Sequence, residues 1–165
     1  MAITKKLSFS YKELNSINEL DAEDQELVHK AIKAAGNAYA PYSLFKVGAA
    51  VRLSNNKIVT GANVENAAFP SGICAERSAL SGASSNFPEH HPVTMAIVAL
   101  TDQGITESPV SPCGNCRQVI SEQEFRSGKS IKLILTGKDK IHVIEKIADL
   151  LPLQFTKESL KPDQK

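Results

Sequence analysis

No long apolar run, no surplus of either charge and no cysteine-rich framework occurs in this chain of 165 residues. The longest uninterrupted aliphatic stretch, Met95 to Leu100, is far too short to cross a bilayer, and Met1 to Leu14 lacks the apolar core of a signal peptide. A soluble, cytoplasmic protein without a membrane partner is expected. Lysine and arginine total 19 against 18 acidic residues, a net charge of +1, so no broad field draws the chain to nucleic acid or an anionic membrane. Aromatic residues are only 5%, and they form no cluster with basic ones of the kind that stacks single-stranded bases. A small, nearly neutral substrate suits this balance better. The cysteines number three, which cannot all pair within one chain; in a reducing compartment, thiols more often bind metal or react than cross-link.

What is present is globular. Hydrophobic residues make up 42% and charged ones 22%, which excludes collagen-like, disordered and coiled-coil classes. A mass of 17.8 kDa fits one domain, for which surface scaling gives a folded accessible area of roughly 8,000 Å². Asp21 to Ala40 reads as an amphipathic helix, because Leu27, Ala31, Ala35 and Ala38 recur at spacings of three and four, with Pro41 as its stop. Lys46 to Leu53 and Lys57 to Asn63 flank the polar turn Ser54-Asn55-Asn56 and read as a hairpin. Thr94 to Leu100, Ile131 to Thr136 and, more weakly, Ile141 to Ile147 read as strands. Helical segments Cys74 to Ser85 and Cys113 to Phe125 are interleaved with them, which implies an α/β sheet layered with helices. Lys5 to Leu20 carries Leu7, Phe9 and Tyr11 in alternation, so it is either an added edge strand or a loosely held arm. Thr156 to Lys165 is a polar tail expected to fray.

The cysteines stand at Cys74, Cys113 and Cys116. A Cys-x-x-Cys pair alone is ambiguous between metal site, redox dithiol and accident. Glu76 two residues after Cys74 and Pro112 just before Cys113 sharpen it: Cys-x-Glu followed by Pro-Cys-x-x-Cys is the known zinc nucleobase deaminase signature, matched here as a pattern. Its physical sense can be argued. Residues three apart in a first helical turn share a face, so Cys113 and Cys116 can hold one ion, and the amides of a helix start favour thiolates. In mid-helix Glu76 would point away from Cys74, which places Cys74 at the threshold of its helix, after the turn-forming Pro70-Ser71-Gly72. Three protein ligands leave the fourth position of a tetrahedral zinc open, as in catalytic sites, while structural sites use four. Two other readings compete: a closed structural site completed by His29, His90, His91 or His142, and a thioredoxin-like dithiol, which would leave Cys74 and Glu76 unexplained.

Further stretches agree in order and spacing. Ala40-Pro41-Tyr42-Ser43, Phe45 to Ala50, Asn63 to Ala67, Gly72 to Arg77 and Ser111 to Gln118 together resemble the small homotetrameric cytidine deaminases, from about Asp21 to about Leu160. The resemblance implies a three-layer α/β/α sandwich with a mixed central sheet of about five strands. It places an extension at 1–20, a single catalytic domain at 21–160 and a polar tail at 161–165. It further implies one Zn²⁺ per chain on Cys74, Cys113 and Cys116, with Glu76 moving protons in the hydrolytic removal of the 4-amino group of cytidine or 2′-deoxycytidine, a step of pyrimidine salvage. Asn63 and Glu65 would hold the ribose hydroxyls, Phe45 would pack on the nucleoside and the Ala75 backbone would contact the pyrimidine. Phe155 and Phe69 resemble intersubunit aromatic positions of a homotetramer whose pockets are completed by neighbouring chains. Ala67-Ala68, Ser71 and Asn115 depart from the family's usual residues and bear on fine substrate preference.

Three thiolates around Zn²⁺ leave a formal charge of −1, which opposes the Lewis acidity the reaction needs. Two helix N-termini and Arg77, three residues after Cys74, are the expected neutralisers, with Arg117 as a further candidate. Other functions remain in view: deamination of a nucleoside analogue such as blasticidin S, or of a base within nucleic acid, and a zinc-stabilised interaction module without catalysis, which would give Glu76 no role.

Overall fold

A computed structural model describes residues 2–160. Three α-helices and seven strands run in the order β1 (Lys12–Leu14), α1 (Ala22–Gly36), β2 (Lys46–Leu53), β3 (Ile58–Ala62), α2 (Ala75–Asn86), β4 (Pro92–Thr101), β5 (Gly104–Ile105), α3 (Gly114–Ser127), β6 (Lys132–Thr136) and β7 (Ile141–Ile144). The sheet order is β1-β7-β6-β4-β2-β3, with β5 paired to the end of β4. Only β4 and β6 pair in parallel, so the sheet is mixed as expected. It has seven strands rather than about five, because β1 and β5, of three and two residues, are too short to show a period of two.

The central strands are continuously apolar because both faces of the sheet are covered. Ala49, Val51, Met95, Ile97, Leu133 and Leu135 point to one side and pack with Ala79, Leu80 and Ala83 of α2 and Ile120 of α3. Their alternates Ala50, Ala96, Val98 and Ile134 point to the other and pack with Leu27, Val28, Ala31 and Ala35 of α1. This is the three-layer sandwich. Burying each Leu or Ile fully contributes about 1.5–3 kcal/mol, and the small residues let the layers close. Gly48 lies directly beneath α1 at Ala31 and Ala35, and Gly61 beneath α2 at Ala75 and Ala79.

Several boundaries differ from expectation for local reasons. Helix α1 ends at Gly36, with Asn37 as C-cap donating to the Ala34 and Ala35 carbonyls, so Pro41 is not its stop. Asp21 caps the other end, accepting the Asp24 N–H at 2.8 Å, and the buried Asp24 carboxylate meets Lys132 Nζ at 2.5 Å, tying α1 to β6. Cys74 and Cys113 are N-caps with extended backbones, so α2 and α3 begin one residue later than expected; α3 runs on to a left-handed Gly128. Strand β7 ends at Ile144, short of Ile147, which opens a 3₁₀ turn. The arm does add an edge strand, but at Lys12–Leu14, just past the alternating trio. Charge sets it there: Lys12 meets Glu145 at 3.1 Å, and Glu13 meets Lys140 at 2.7 Å and His142 at 3.1 Å. Tyr11 lies against the His142 ring, while Leu7 and Phe9 stay exposed beside Leu151 and Leu153. In the tail, Lys157–Leu160 forms a 3₁₀ turn with no buried residue, and residues 161–165 lie outside the described part.

The close approach at Gly48 makes a sharp test. Gly48→Ala is expected to lower the unfolding free energy by about 3 kcal/mol or more, read as a drop in urea midpoint. Gly36→Ala, where nothing stands within 4 Å of the added methyl, is expected to leave the midpoint nearly unchanged. Equal midpoints for the two variants would refute the tight helix–sheet contact.

Candidate active site

The site forms where α2 and α3, on the same face of the sheet, direct their N-termini at one point. The sulfurs of Cys74, Cys113 and Cys116 all lie within 4.8 Å of one another, with Cys113 and Cys116 at 3.5 Å. Sulfurs sharing one tetrahedral ion with Zn–S bonds of 2.3 Å stand about 3.8 Å apart, so the spacing fits zinc. Among the described residues no histidine joins this group, which removes the closed structural site, and the inclusion of Cys74 removes a simple dithiol. Cys116 is fully buried, Cys113 is exposed to the cleft, and none of the three is in a disulfide.

The donor set calls for a cation. Burial pushes the Cys74 thiol up, and the neighbouring Glu76 and Cys113 add to the rise. Burial raises Cys116 further still, again with Glu76 contributing. Burial also works against the Cys113 thiolate, but the N–H groups of Cys116 and Asn115 at the start of α3, together with the Cys116 and Cys74 thiols, more than offset it, leaving Cys113 below the usual thiol range. Buried sulfurs beside a carboxylate repel each other's charge until a divalent ion compensates it. Glu76 is 5% exposed, and burial raises its pKa against the opposing pull of its own backbone amide and of Cys116.

These groups open onto a cleft of about 430 Å³. Phe45, Asn63, Glu65, Phe69, Cys74, Ala75, Glu76 and Cys113 line it, so eight of the expected site residues converge. Sequence reasoning missed the apolar wall formed by Val47, Ile97 and Val110, and also Asn66 and Ser111. Val47 and Ile97 read as ordinary strand residues, and nothing local marks them as facing a cleft.

Asn63 and Glu65 lie just beyond β3 rather than within it, but Val64 bridges Tyr39 and Ile73, so the chain stays extended and both reach the cleft. Each side chain also holds the facing loop. Asn63 Oδ1 accepts the Val47 N–H at 2.7 Å and its Nδ2 donates to the Phe45 carbonyl at 2.9 Å. Glu65 Oε2 accepts the N–H groups of Tyr42 at 2.9 Å and Ser43 at 3.2 Å. The Ser43 hydroxyl, more than the Tyr42 amide, holds the Glu65 carboxyl below its usual range. These bonds support Leu44, whose φ of 57° costs a non-glycine residue about 1 kcal/mol.

Phe69 is 76% exposed at the cleft mouth, edge-on to Tyr42 at 6.0 Å, whereas Phe155 is 58% exposed and outside the cleft of its own chain. Arg77 is half-buried on the first turn of α2 and donates no hydrogen bond among the described residues. Arg117 serves carbonyls rather than sulfurs, giving Nε to Pro112 at 2.8 Å and a terminal nitrogen to Leu150 at 2.7 Å. The N–H groups at the start of α3 are therefore the neutralisers seen at a thiolate, and the start of α2 stands beside Cys74.

A mixed α/β/α sandwich with three convergent thiols and a buried carboxylate in an apolar cleft defines a metal-dependent hydrolytic centre. Residues 21–129 match the family described as cytidine and deoxycytidylate deaminase zinc-binding region. The cytidine deaminase of Halalkalibacterium halodurans is 40% identical over 136 residues, covering 82% of this chain and 96% of its own. That of Sporosarcina psychrophila is 41% identical over 136 residues, covering 82% and 93%. The solved structure of cytidine deaminase from Burkholderia pseudomallei superposes with a TM-score of 0.66 at 37% identity, covering 79% of this chain and 97% of that one. The chain belongs to the cytidine and deoxycytidylate deaminase family, and its metal is zinc.

Replacing a buried sulfur should empty the centre. Cys116→Ala is expected to cut bound zinc at least about tenfold by elemental analysis, and chelation of the unaltered protein to lower its Tm, since the ion binds only the native state. Full zinc in Cys116→Ala together with a Tm indifferent to chelator would refute the site.

Proposed function

We propose that this chain hydrolyses cytidine, and 2′-deoxycytidine with it, to uridine or 2′-deoxyuridine and ammonia. The observation that carries the reading is Glu76: a carboxylate buried in the apolar cleft, two residues after one thiol ligand and against another. A purely structural zinc site has no use for it. Cys74, Cys113 and Cys116 hold the ion, which when bound supplies the Lewis acidity that makes water nucleophilic near neutral pH. Glu76 takes the proton from the attacking water, passes it to ring N3, and then assists the departing 4-amino group; a carboxylate in an apolar pocket serves for both transfers because it alternates between its two forms.

The other cleft residues bind and exclude water. Phe45, Val47, Ile97 and Val110 enclose the pyrimidine, and the Ala75 backbone at the start of α2 reads its polar edge. Asn63 and Glu65 meet the ribose hydroxyls: each keeps acceptor or donor capacity beyond its bonds to the 42–47 loop. Glu65→Ala thus weakens nucleoside binding directly and loosens that loop as well. The helix starts temper the charge of the thiolates.

The complete enzyme in this reading is a homotetramer whose neighbours close each pocket with Phe155, while Phe69, at the mouth of its own chain's cleft, stands where subunits would meet. Tyr39, Tyr42, Leu44, Phe69 and Phe155 are among the exposed large apolar side chains. Free thiols and a near-zero net charge fit a cytoplasmic salvage enzyme for small nucleosides. No helix among the described residues is long and apolar enough to cross a membrane.

Loss of cytidine absorbance is the direct assay. Glu76→Gln is expected to reduce kcat by about 10³-fold or more while zinc content stays at the unaltered level. Undiminished turnover in that variant would remove Glu76 from the chemistry, and ammonia released from blasticidin S but not from cytidine would redirect the substrate.

A further inference from the structure

Phe155 lies outside the cleft of its own chain, in a segment that forms neither helix nor strand. A ring on a loose segment makes a poor wall for any pocket, because the cost of ordering it falls on every binding event. Helix α3 removes that looseness. Arg117 gives a terminal nitrogen to the Leu150 carbonyl at 2.7 Å, Gln118 Nε2 donates to the Phe155 carbonyl at 2.9 Å, and the buried Ser121 hydroxyl donates to Gln154 Oε1 at 2.6 Å. One turn further on, Lys157 Nζ stands over the Phe125 ring, 5.3 Å from its centroid. These helix residues follow one another at spacings of three and four, so they share one flank of α3, and the segment is laid along it. Between the anchors the chain turns through Leu153, whose left-handed φ of 56° persists in a leucine only when its surroundings impose it. Leu153 is 91% exposed, so burial of its own side chain does not hold the turn; the bonds from α3 do.

We infer that Gln118 is a positioning residue that acts across a subunit boundary: by holding the Phe155 carbonyl against α3 it aims the ring at the cleft of a second copy of this chain, with Ser121 fixing the residue before it. The inference rests on the reading, given under Proposed function, that Phe155 closes a neighbour's pocket. The same helix begins at the metal ligands of its own chain, so its start serves one active site and its flank serves another. The contribution is to binding. Phe155 covers apolar surface and touches no reacting atom, so a ring already in place lowers the ordering cost and leaves the proton transfers at Glu76 alone. Loss of the Gln118 amide therefore shows in the pocket of the adjoining chain and not in the pocket of the chain that carries the substitution, a pattern that a general weakening of α3 would not reproduce.

The test uses zinc-loaded hybrid oligomers in which a single tagged chain with Glu76 intact is isolated among an excess of untagged Glu76→Gln chains, so that turnover comes from the tagged chain. With Gln118→Ala placed only on the Glu76→Gln chains, KM for cytidine is expected to rise about 3- to 10-fold, the loss of one hydrogen bond, with kcat within about twofold. With Gln118→Ala placed only on the tagged chain, both constants should stay within about twofold. Gln118→Glu, which keeps the length of the side chain but carries no donor at neutral pH, should match Gln118→Ala in each position. Phe155→Ala on the Glu76→Gln chains is the reference and is expected to raise KM at least as far. Where that reference does raise KM, the role of Gln118 is overturned by an unmoved KM with either Gln118 variant on the neighbours, by an equal rise with Gln118→Ala on the tagged chain alone, or by a hybrid that loses mass in sedimentation. If Phe155→Ala on the neighbours leaves KM unmoved, or if no Glu76→Gln chain copurifies with the tagged one, the reading of Phe155 falls and the inference falls with it.

Discussion

Everything in this molecule is arranged around the meeting of two helix starts. Helices α2 and α3 begin at Cys74 and Cys113, and these N-caps with Cys116 bring three sulfurs within 4.8 Å. Such a cluster is unfavourable as bare thiolates, because burial and the adjacent Glu76 both oppose the charge. It becomes favourable when a divalent cation is held and when the unpaired N–H groups of each helix start face the sulfurs. The sandwich supplies that geometry: both helices lie on one face of the sheet, and Gly61 lets α2 sit close enough to β3 for its first residue to stand over the cleft. A bulkier residue at that glycine would displace the metal centre along with the helix.

The wall opposite the metal is built on a different principle. The loop from Pro41 to Phe45 has no regular ladder of its own, and side chains from beyond β3 complete its backbone bonding. Asn63 and Glu65 therefore act inward on the loop and outward on the cleft. A residue type suited to a sugar diol, rich in directional donors and acceptors, is also suited to capping stray amides, and the fold exploits that overlap. Loop support and, in the proposed role, sugar binding therefore fall on the same two side chains.

How much of this was legible in the sequence follows from the range of each interaction. The metal set was legible, since Cys74, Glu76, Pro112, Cys113 and Cys116 carry their meaning in short local spacings. The central strands and the three helices were legible from periodicity, and Cys74 could be placed at a helix threshold because a carboxylate two residues on must face the same ion. Gly36 and Asn37 were the real end signal for α1, overshadowed by Pro41. What was hidden was long-range: the amide of Asn63 bonding residues 16 and 18 positions earlier, the apolar wall of Val47 and Ile97, and the charge pairs that slide the edge strand to Lys12–Leu14. Arg117 was misread for the same reason, because proximity to Cys116 in sequence says nothing about the carbonyl of Leu150.

That arginine is part of a larger attachment. From consecutive turns of α3, Arg117, Gln118 and Ser121 bond the Leu150 carbonyl, the Phe155 carbonyl and the Gln154 side chain. The helix that holds a metal ligand at one end thus grips the closing segment of the fold along its flank. The segment that carries Phe155 is therefore placed by the same helix whose start carries Cys113 and Cys116.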